Sequence, residues 1–204
     1  MSTQTQTIVI RDLDKEDIVI ATTILTQAFA QDPVMQWICG DRYPQVAPAL
    51  FEAITRYCML YGKAFCTSKM ESVALRKLPF DTKFSWWKAF RAGYLALPKR
   101  MGNEAFKRLM LFDDLTQKER KKQMGNNSYW YCWCLATRPE KQGKGFGTAL
   151  IQHTFNLAAE TGFPCYLETA VRKNQTLYEK NGYVKVSEFN LPDSEVVIIS
   201  MLRE

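Results

Sequence analysis

The sequence predicts an α/β (α+β) fold, one domain spanning residues 1–204, and three observations carry that reading. Strand-like and helix-like segments alternate along the chain, with no long linker and no low-complexity stretch between them. The length, 204 residues, suits one full-sized domain and is barely enough for two. Hydrophobic residues make up 47% and charged residues 24%, ordinary globular usage that excludes a disordered or fibrous chain.

Each element follows from local pattern. Residues 7–11 (TIVIR) read as a short strand. Ile18, Ala21, Ile24, Leu25, Ala28 and Phe29 carry the spacing of an amphipathic helix, which Asp32-Pro33 interrupts before a short turn bearing Trp37. Ala47, Leu50, Phe51, Ile54, Tyr57, Cys58 and Tyr61 mark a stronger helical stripe. Residues 63–68 and 71–78 are strand-like around Lys69-Met70, a hairpin. Helices are expected over about 83–97 and 103–123, the first grouping Trp86, Trp87, Phe90 and Tyr94 as mostly core. Residues 129–137 (YWYCWCLAT) are apolar at alternate and intervening positions alike, as in a strand buried on both faces. A glycine-rich turn, a helix (146–161), a strand (164–170), a short helix (174–181) and strands near 183–189 and 195–202 complete the order.

Composition narrows the function. No run of 18 or more apolar residues is present, so no membrane-spanning helix is expected. The opening MSTQTQTIVIRD lacks the basic and apolar regions of an export signal, and a cytoplasmic location is the expectation. The six cysteines are scattered, with no CxxC pair, and His153 is the single histidine, so no metal is expected and the thiols read as buried and free. The spacing of Cys132 and Cys134 predicts two thiols on one face of a strand. The net charge of +6 comes largely from residues 99–122, which hold eight Lys/Arg against four acids. That segment reads as a solvated helix face, and no nucleic-acid module accompanies it.

The stretch Arg138-Pro-Glu-Lys-Gln-Gly-Lys-Gly-Phe-Gly-Thr148 lies between a buried strand and a helix. Gly143, Gly145 and Gly147 let successive backbone N–H groups converge on an anion at the positive end of the helix dipole, a cradle suited to pyrophosphate. Neither the GxxxxGK[ST] pattern nor GxGxxG is met, which argues against phosphoryl and hydride transfer.

Gln142-Gly143-Lys144-Gly145-Phe146-Gly147 resembles the Q/R-x-x-G-x-G/A signature of the GNAT superfamily of N-acetyltransferases. Asn174 and Tyr178, within Asn-Gln-Thr-Leu-Tyr-Glu-Lys-Asn-Gly-Tyr183, are similar to that superfamily's N…(F/L)YEK-x-GF segment. The run from Trp130 to Val186, with Ala28-Phe29-Ala30-Gln31-Asp32-Pro33, looks most like the puromycin N-acetyltransferase subgroup. Arg76 stands where that subgroup usually carries Trp, and Thr137 where it usually carries Val. The stretch of about 80–125 matches no named pattern and reads as a helical insertion that shapes the acceptor site; the cofactor-binding core is about 129–190.

The resemblance implies a GNAT fold, with a mixed sheet of about six to seven strands splayed between 129–137 and 164–170 and flanked by helices. It implies acetyl-CoA as co-substrate, its pantetheine arm pairing with the backbone of Cys134, Leu135, Ala136 and Thr137. Gln142, Gly143, Lys144, Gly145, Phe146, Gly147 and Thr148 would hold the pyrophosphate, with Arg138 and Lys141 nearby. Asn174 would contact the cofactor or cap its helix. Tyr178 would touch the cofactor and protonate the departing thiolate, or pack as a buried aromatic. Glu168, an acid among apolar neighbours, is expected either as a proton acceptor from the amine or as a hydrogen-bonded structural acid. The implied activity is acetyl transfer to a primary amine of a small molecule by direct attack. The alternatives are a protein or peptide amine, or a module that binds acetyl-CoA without turnover. A monomer or homodimer with no nucleic-acid or membrane partner completes the expectation.

Overall fold

In the computed structural model, which describes residues 7–81 and 85–204, the strands are β1 (Ile10–Asp12), β2 (Gly62–Thr67), β3 (Ser72–Lys77), β4 (Trp130–Thr137), β5 (Cys165–Thr169), β6 (Val184–Asn190) and β7 (Val197–Arg203). They form one mixed sheet in the order β1-β2-β3-β4-β5-β7-β6. Every neighbouring pair is antiparallel except β4–β5, which is parallel. The helices are α1 (Ile18–Ala28), α2 (Pro33–Cys39), α3 (Tyr43–Tyr61), α4 (Trp86–Arg91), α5 (Leu97–Met101), α6 (Asn103–Met124), α7 (Phe146–Thr161) and α8 (Arg172–Lys180).

The sheet is covered on both faces, as the doubly apolar sequence of β4 requires. On one face Val73 and Leu75 of β3 pack with Ile24, Leu50 and Ile54 of α1 and α3. On the other, Ala74 packs with Phe65 of β2 and Leu150 of α7, while Trp130 of β4 joins Ile151, Phe155 and Tyr178. The amphipathic stripes read from the sequence are therefore the faces laid on the sheet.

Two irregularities shape the site. The first is a bulge in β4: Leu75 pairs with Cys134 but Arg76 with Cys132, so Trp133 has no partner on β3. An extra residue inverts the alternation of everything beyond it. Cys132 accordingly packs with the α7–α8 face and Cys134 with the α1–α3 face, so the expectation that both thiols share a face is corrected. The second is a splay. β4 and β5 pair only through Trp130–Cys165, Tyr131–Tyr166 and Cys132–Leu167, and from Trp133 onward that edge of β4 pairs with no strand among the described residues.

The region expected as one helix over 83–97 is also corrected. Residues 83 and 84 lie outside the described residues; beyond them α4 ends at Arg91, Gly93 takes φ 92, and a 3-10 turn (Tyr94–Ala96) leads into α5. A left-handed glycine cannot continue an α-helix, and Pro98 supplies a new helical start. The aromatic cluster is not mostly core: Trp86, Trp87 and Phe90 are 64%, 67% and 51% exposed. Tyr94 alone of the four is buried and reaches the cavity described next.

Candidate active site

The splay opens into a cavity of about 160 Å³, bounded by α1–α3 and α6 on one side and by β4, β5 and α8 on the other. Its walls are mainly apolar and aromatic, including Phe29, Phe51, Phe112 and Trp133, and three carboxylates, Asp32, Asp113 and Glu168, line it as well. Of the residues expected from sequence, Cys134, Leu135, Glu168, Asn174 and Tyr178 meet here. Ala136 and Thr137 continue along β4 outside the cavity lining, toward the glycine turn.

At that turn a 3-10 segment (Pro139–Lys141) follows Arg138, Gly143 takes φ 75, and Gly145 takes φ 85 as the residue before α7. Positive φ at both positions explains the glycines: a Cβ would be strained there whatever the space around it. The first bond into α7 runs from Ala149 N to Gly145 O (2.9 Å), so the N–H groups of Phe146, Gly147 and Thr148 have no intrahelical acceptor. Gln142, Gly143, Lys144 and Gly145 are exposed beside them. The Gln142 amide reaches back to the Thr137 carbonyl at 3.4 Å. Gly147 lies against the Thr137 hydroxyl, which in turn meets Ser72 Oγ at 2.9 Å. Arg138 is spent structurally, its Nε donating to the Met70 carbonyl of the β2–β3 turn (2.7 Å), which leaves Lys141 and Lys144 as the cations of the turn. N–H donors without an intrahelical acceptor at a helix N-terminus, with an open strand edge leading away from them, fit a pyrophosphate joined to an extended amide-bearing arm.

Gly145→Asp tests that fit. The nearest atom to an added Cβ is Ile8 Cδ1 at 4.0 Å, so the substitution adds backbone strain and a negative charge without a steric clash. Affinity for acetyl-CoA, read by calorimetry, is expected to fall about 30-fold, roughly 2 kcal/mol. An unchanged affinity would place the pyrophosphate elsewhere.

Helix α8 begins at Arg172 with Val171 as its N-cap, so Asn174 is already inside the helix and the capping alternative is corrected. Asn174 and Tyr178, four residues apart, present one helix face to the cavity. Tyr178 is buried against Tyr183, and burial raises its phenol further above the ordinary range. It therefore stays protonated at any working pH and remains a donor.

Glu168, near the end of β5, forms a buried ion pair: Arg120 Nη1 of α6 donates to its Oε1 at 3.0 Å, the two side chains being 4% and 5% exposed. The same guanidinium donates to Tyr131 Oη (3.1 Å) and lies over its ring at 4.5 Å. Glu168 Oε2 is buried with no hydrogen-bond partner among the described residues. Burial raises the Glu168 carboxyl above the usual carboxylate range, and the Arg120 charge opposes that rise. Asp32 caps α2, its Oδ1 accepting from the Val34 and Met35 N–H groups (3.0 and 3.1 Å). Burial raises its carboxyl too, against those two bonds.

Arg120, Asp32 and Asp113 were not singled out as site residues from sequence. The signal for Arg120 was its place on the inward stripe of α6: Thr116, Arg120 and Met124 follow one another at four-residue spacing and all are buried. Among the described residues no cluster of His, Cys, Asp and Glu is arranged to hold a metal ion.

The model of the acetyltransferase (GNAT) domain matches residues 111–185, which run from α6 through β4, the glycine turn, α7, β5 and α8. An uncharacterised N-acetyltransferase of Schizosaccharomyces pombe is 26% identical over 203 residues, covering 94% of this chain and 81% of its own. A structure titled histone acetyltransferase HPA2 and related acetyltransferase, from Corynebacterium glutamicum, superposes with TM-score 0.72 at 21% identity over 97% of this chain and 96% of its own. Arylalkylamine N-acetyltransferase 2 from Aedes aegypti does so with TM-score 0.66 at 16% identity, over 97% and 98%. Fold and splayed sheet are those of GNAT acetyltransferase structures, and the segment 111–185 is similar to the acetyltransferase (GNAT) domain. The more specific likeness to the puromycin N-acetyltransferase subgroup receives no support from these matches.

Proposed function

We propose that the protein transfers the acetyl group of acetyl-CoA to the primary amine of a small molecule with an apolar or aromatic body. The observation that carries this reading is the cavity: apolar walls around three carboxylates, at the mouth of the β4–β5 splay. Its volume, about 160 Å³, matches the cavities of about 150 Å³ that take up a benzene ring. An arylalkylamine enzyme of the same fold supports that choice by analogy.

Acetyl-CoA supplies a thioester carbonyl that an amine can attack directly. The chain's residues then divide the work. The N–H groups that open α7, with Gln142 and Lys144, hold the pyrophosphate, and the free edge of β4 from Trp133 to Thr137 pairs with the pantetheine amides. Asn174 contacts the same arm. Asp32 attracts the acceptor ammonium into the cavity, where it loses one proton to water, and the unpartnered Oε2 of Glu168 accepts the second proton that the nitrogen gives up as it attacks. As the new N–C bond forms and the C–S bond breaks, Tyr178 gives its phenolic proton to the sulfur that takes the electron pair. Water returns a proton to Tyr178 and removes one from Glu168, so an amine and a thioester become an amide and a thiol.

An acceptor panel read by thiol release tests the acceptor class. Phenethylamine-type compounds are expected to give a kcat/KM at least about 100-fold above lysine peptides or peptide N-termini, a gap of roughly 2.7 kcal/mol. Turnover of peptides with none of the small amines would replace this reading with protein acetylation.

A further inference from the structure

Two consecutive cations, Arg76 and Lys77, end β3, each only 2% exposed, and neither makes an ion pair among the described residues. They leave the sheet on opposite faces at the β4 bulge. Lys77 Nζ lies 4.1 Å above the ring of Trp133, the bulged residue, with Tyr57 and Tyr131 beside it. On the α7 side, Arg76 Nη1 donates to the Cys134 carbonyl (2.9 Å), approaches Cys132 Sγ (2.9 Å) and contacts its own neighbour's carbonyl, Leu75 O (3.2 Å). Its Nε donates to Thr154 Oγ1 (3.2 Å). Cys132 is the last residue of β4 that pairs with β5, so Arg76 grips both sides of the bulge at the apex of the splay.

A buried cation without a counter-anion is costly to keep. The ionisable groups facing Arg76 are Cys132 and Cys134 from β4, Cys58 from α3, Cys165 from β5, Tyr178 from α8 and Tyr183 beyond it, all neutral in their ordinary protonated forms, with Thr154 from α7. Of the cavity carboxylates, Glu168 and Asp113 pair with Arg120, Asp32 accepts from the Val34 and Met35 N–H groups, and none forms an ion pair with Arg76 among the described residues. The positive charge is thus uncompensated directly behind Cys132 and Cys134, which line the cavity together with Tyr178.

We propose that Arg76 is a positioning residue for acetyl transfer: it fixes the β4 bulge and holds an unneutralised positive charge beneath the apex of the splay, favouring negative charge on the departing sulfur and on Tyr178. This rests on the proposed function. The electron pair of the broken C–S bond goes to sulfur, sulfur takes the Tyr178 proton, and the Arg76 charge steadies whichever of the two atoms is anionic at that moment. No proton leaves Arg76, whose guanidinium stays charged.

The experiment titrates the thiol of bound coenzyme A by its thiolate absorbance, with the complex of the desulfo analogue as baseline. In the wild-type complex the midpoint is expected about one pH unit below that of free coenzyme A. Arg76→Gln keeps a donor to the Cys134 carbonyl but removes the charge, and is expected to raise the midpoint by about one unit, a tenfold loss of thiolate preference. Arg76→Lys keeps the charge and is expected to stay within about half a unit of wild type. A role confined to packing would move none of these midpoints. Equal midpoints in wild type and Arg76→Gln overturn the proposal. Should Arg76→Gln fail to fold, a wild-type midpoint equal to that of free coenzyme A, or a shift lost in Arg76→Lys, does the same. A wild-type protein that binds no coenzyme A overturns the proposed function itself, an outcome distinct from binding with an unmoved thiol.

Discussion

Tyr178→Phe is expected to lower kcat by about 100-fold while leaving the affinity for acetyl-CoA within about twofold. The substitution removes one oxygen and keeps the ring packed against Tyr183 in the core layer under α7 and α8, so folding is little disturbed. What is lost is the donor at the mouth of the splay. A departing thiolate without a proton source is a poorer leaving group, and general acid assistance is worth about 10²–10⁴ in rate. Because burial pushes the phenol upward, no fall in activity from Tyr178 ionisation is expected up to about pH 9. A kcat split of this kind, with binding intact, separates proton donation from packing. Wild-type turnover by Tyr178→Phe would remove the hydroxyl from the mechanism.

The second large effect concerns stability. Arg120→Met leaves Glu168 buried and uncompensated, and breaking a buried pair on one side costs about 3–5 kcal/mol. The cost is expected to depend on pH. Glu168 in the folded protein is raised above its ordinary value near 4.5, so from about that pH upward the folded state binds more protons than the unfolded one, and stability falls as pH rises through the folded value. Losing Arg120 removes the charge that limits the rise and extends the window upward. Urea unfolding should therefore show a larger loss at pH 8 than at pH 5. Adding Glu168→Gln should restore much of the loss, since removing both charges is far cheaper than removing one. Equal losses at both pH values, or a double variant as unstable as the single, would contradict the pairing.

How much of this was legible in the sequence depended on whether the signal was local. The helix over 146–161 and the strand order after it follow from periodicity and the glycine turn, and the structure reproduces them. Asn174 and Tyr178 share the cavity because four-residue spacing on a helix is a geometric statement. The bulge at Trp133 was not legible: nothing in YWYCWCLAT marks which residue the β3 register leaves unpaired, and missing it put Cys132 and Cys134 on the same face. Arg120 was hidden among seven other basic residues of segment 99–122, where charge pointed to solvent, yet one turn of α6 aims it inward at Glu168. Trp86, Trp87 and Phe90 misled in the other direction, because large aromatics suggest burial and here α4 ends too early to lay them on the core. Long-range pairing decided each of these, and single-sequence patterns report only neighbours.

Acetyl transfer is tested most directly by free-thiol release from the wild-type protein given acetyl-CoA and phenethylamine, with the amide product identified by mass. Saturable, stoichiometric formation of thiol and N-acetyl amide is expected. Tight binding of acetyl-CoA with no thiol released, from this amine or any other, would contradict it and leave a binding module in place of an enzyme.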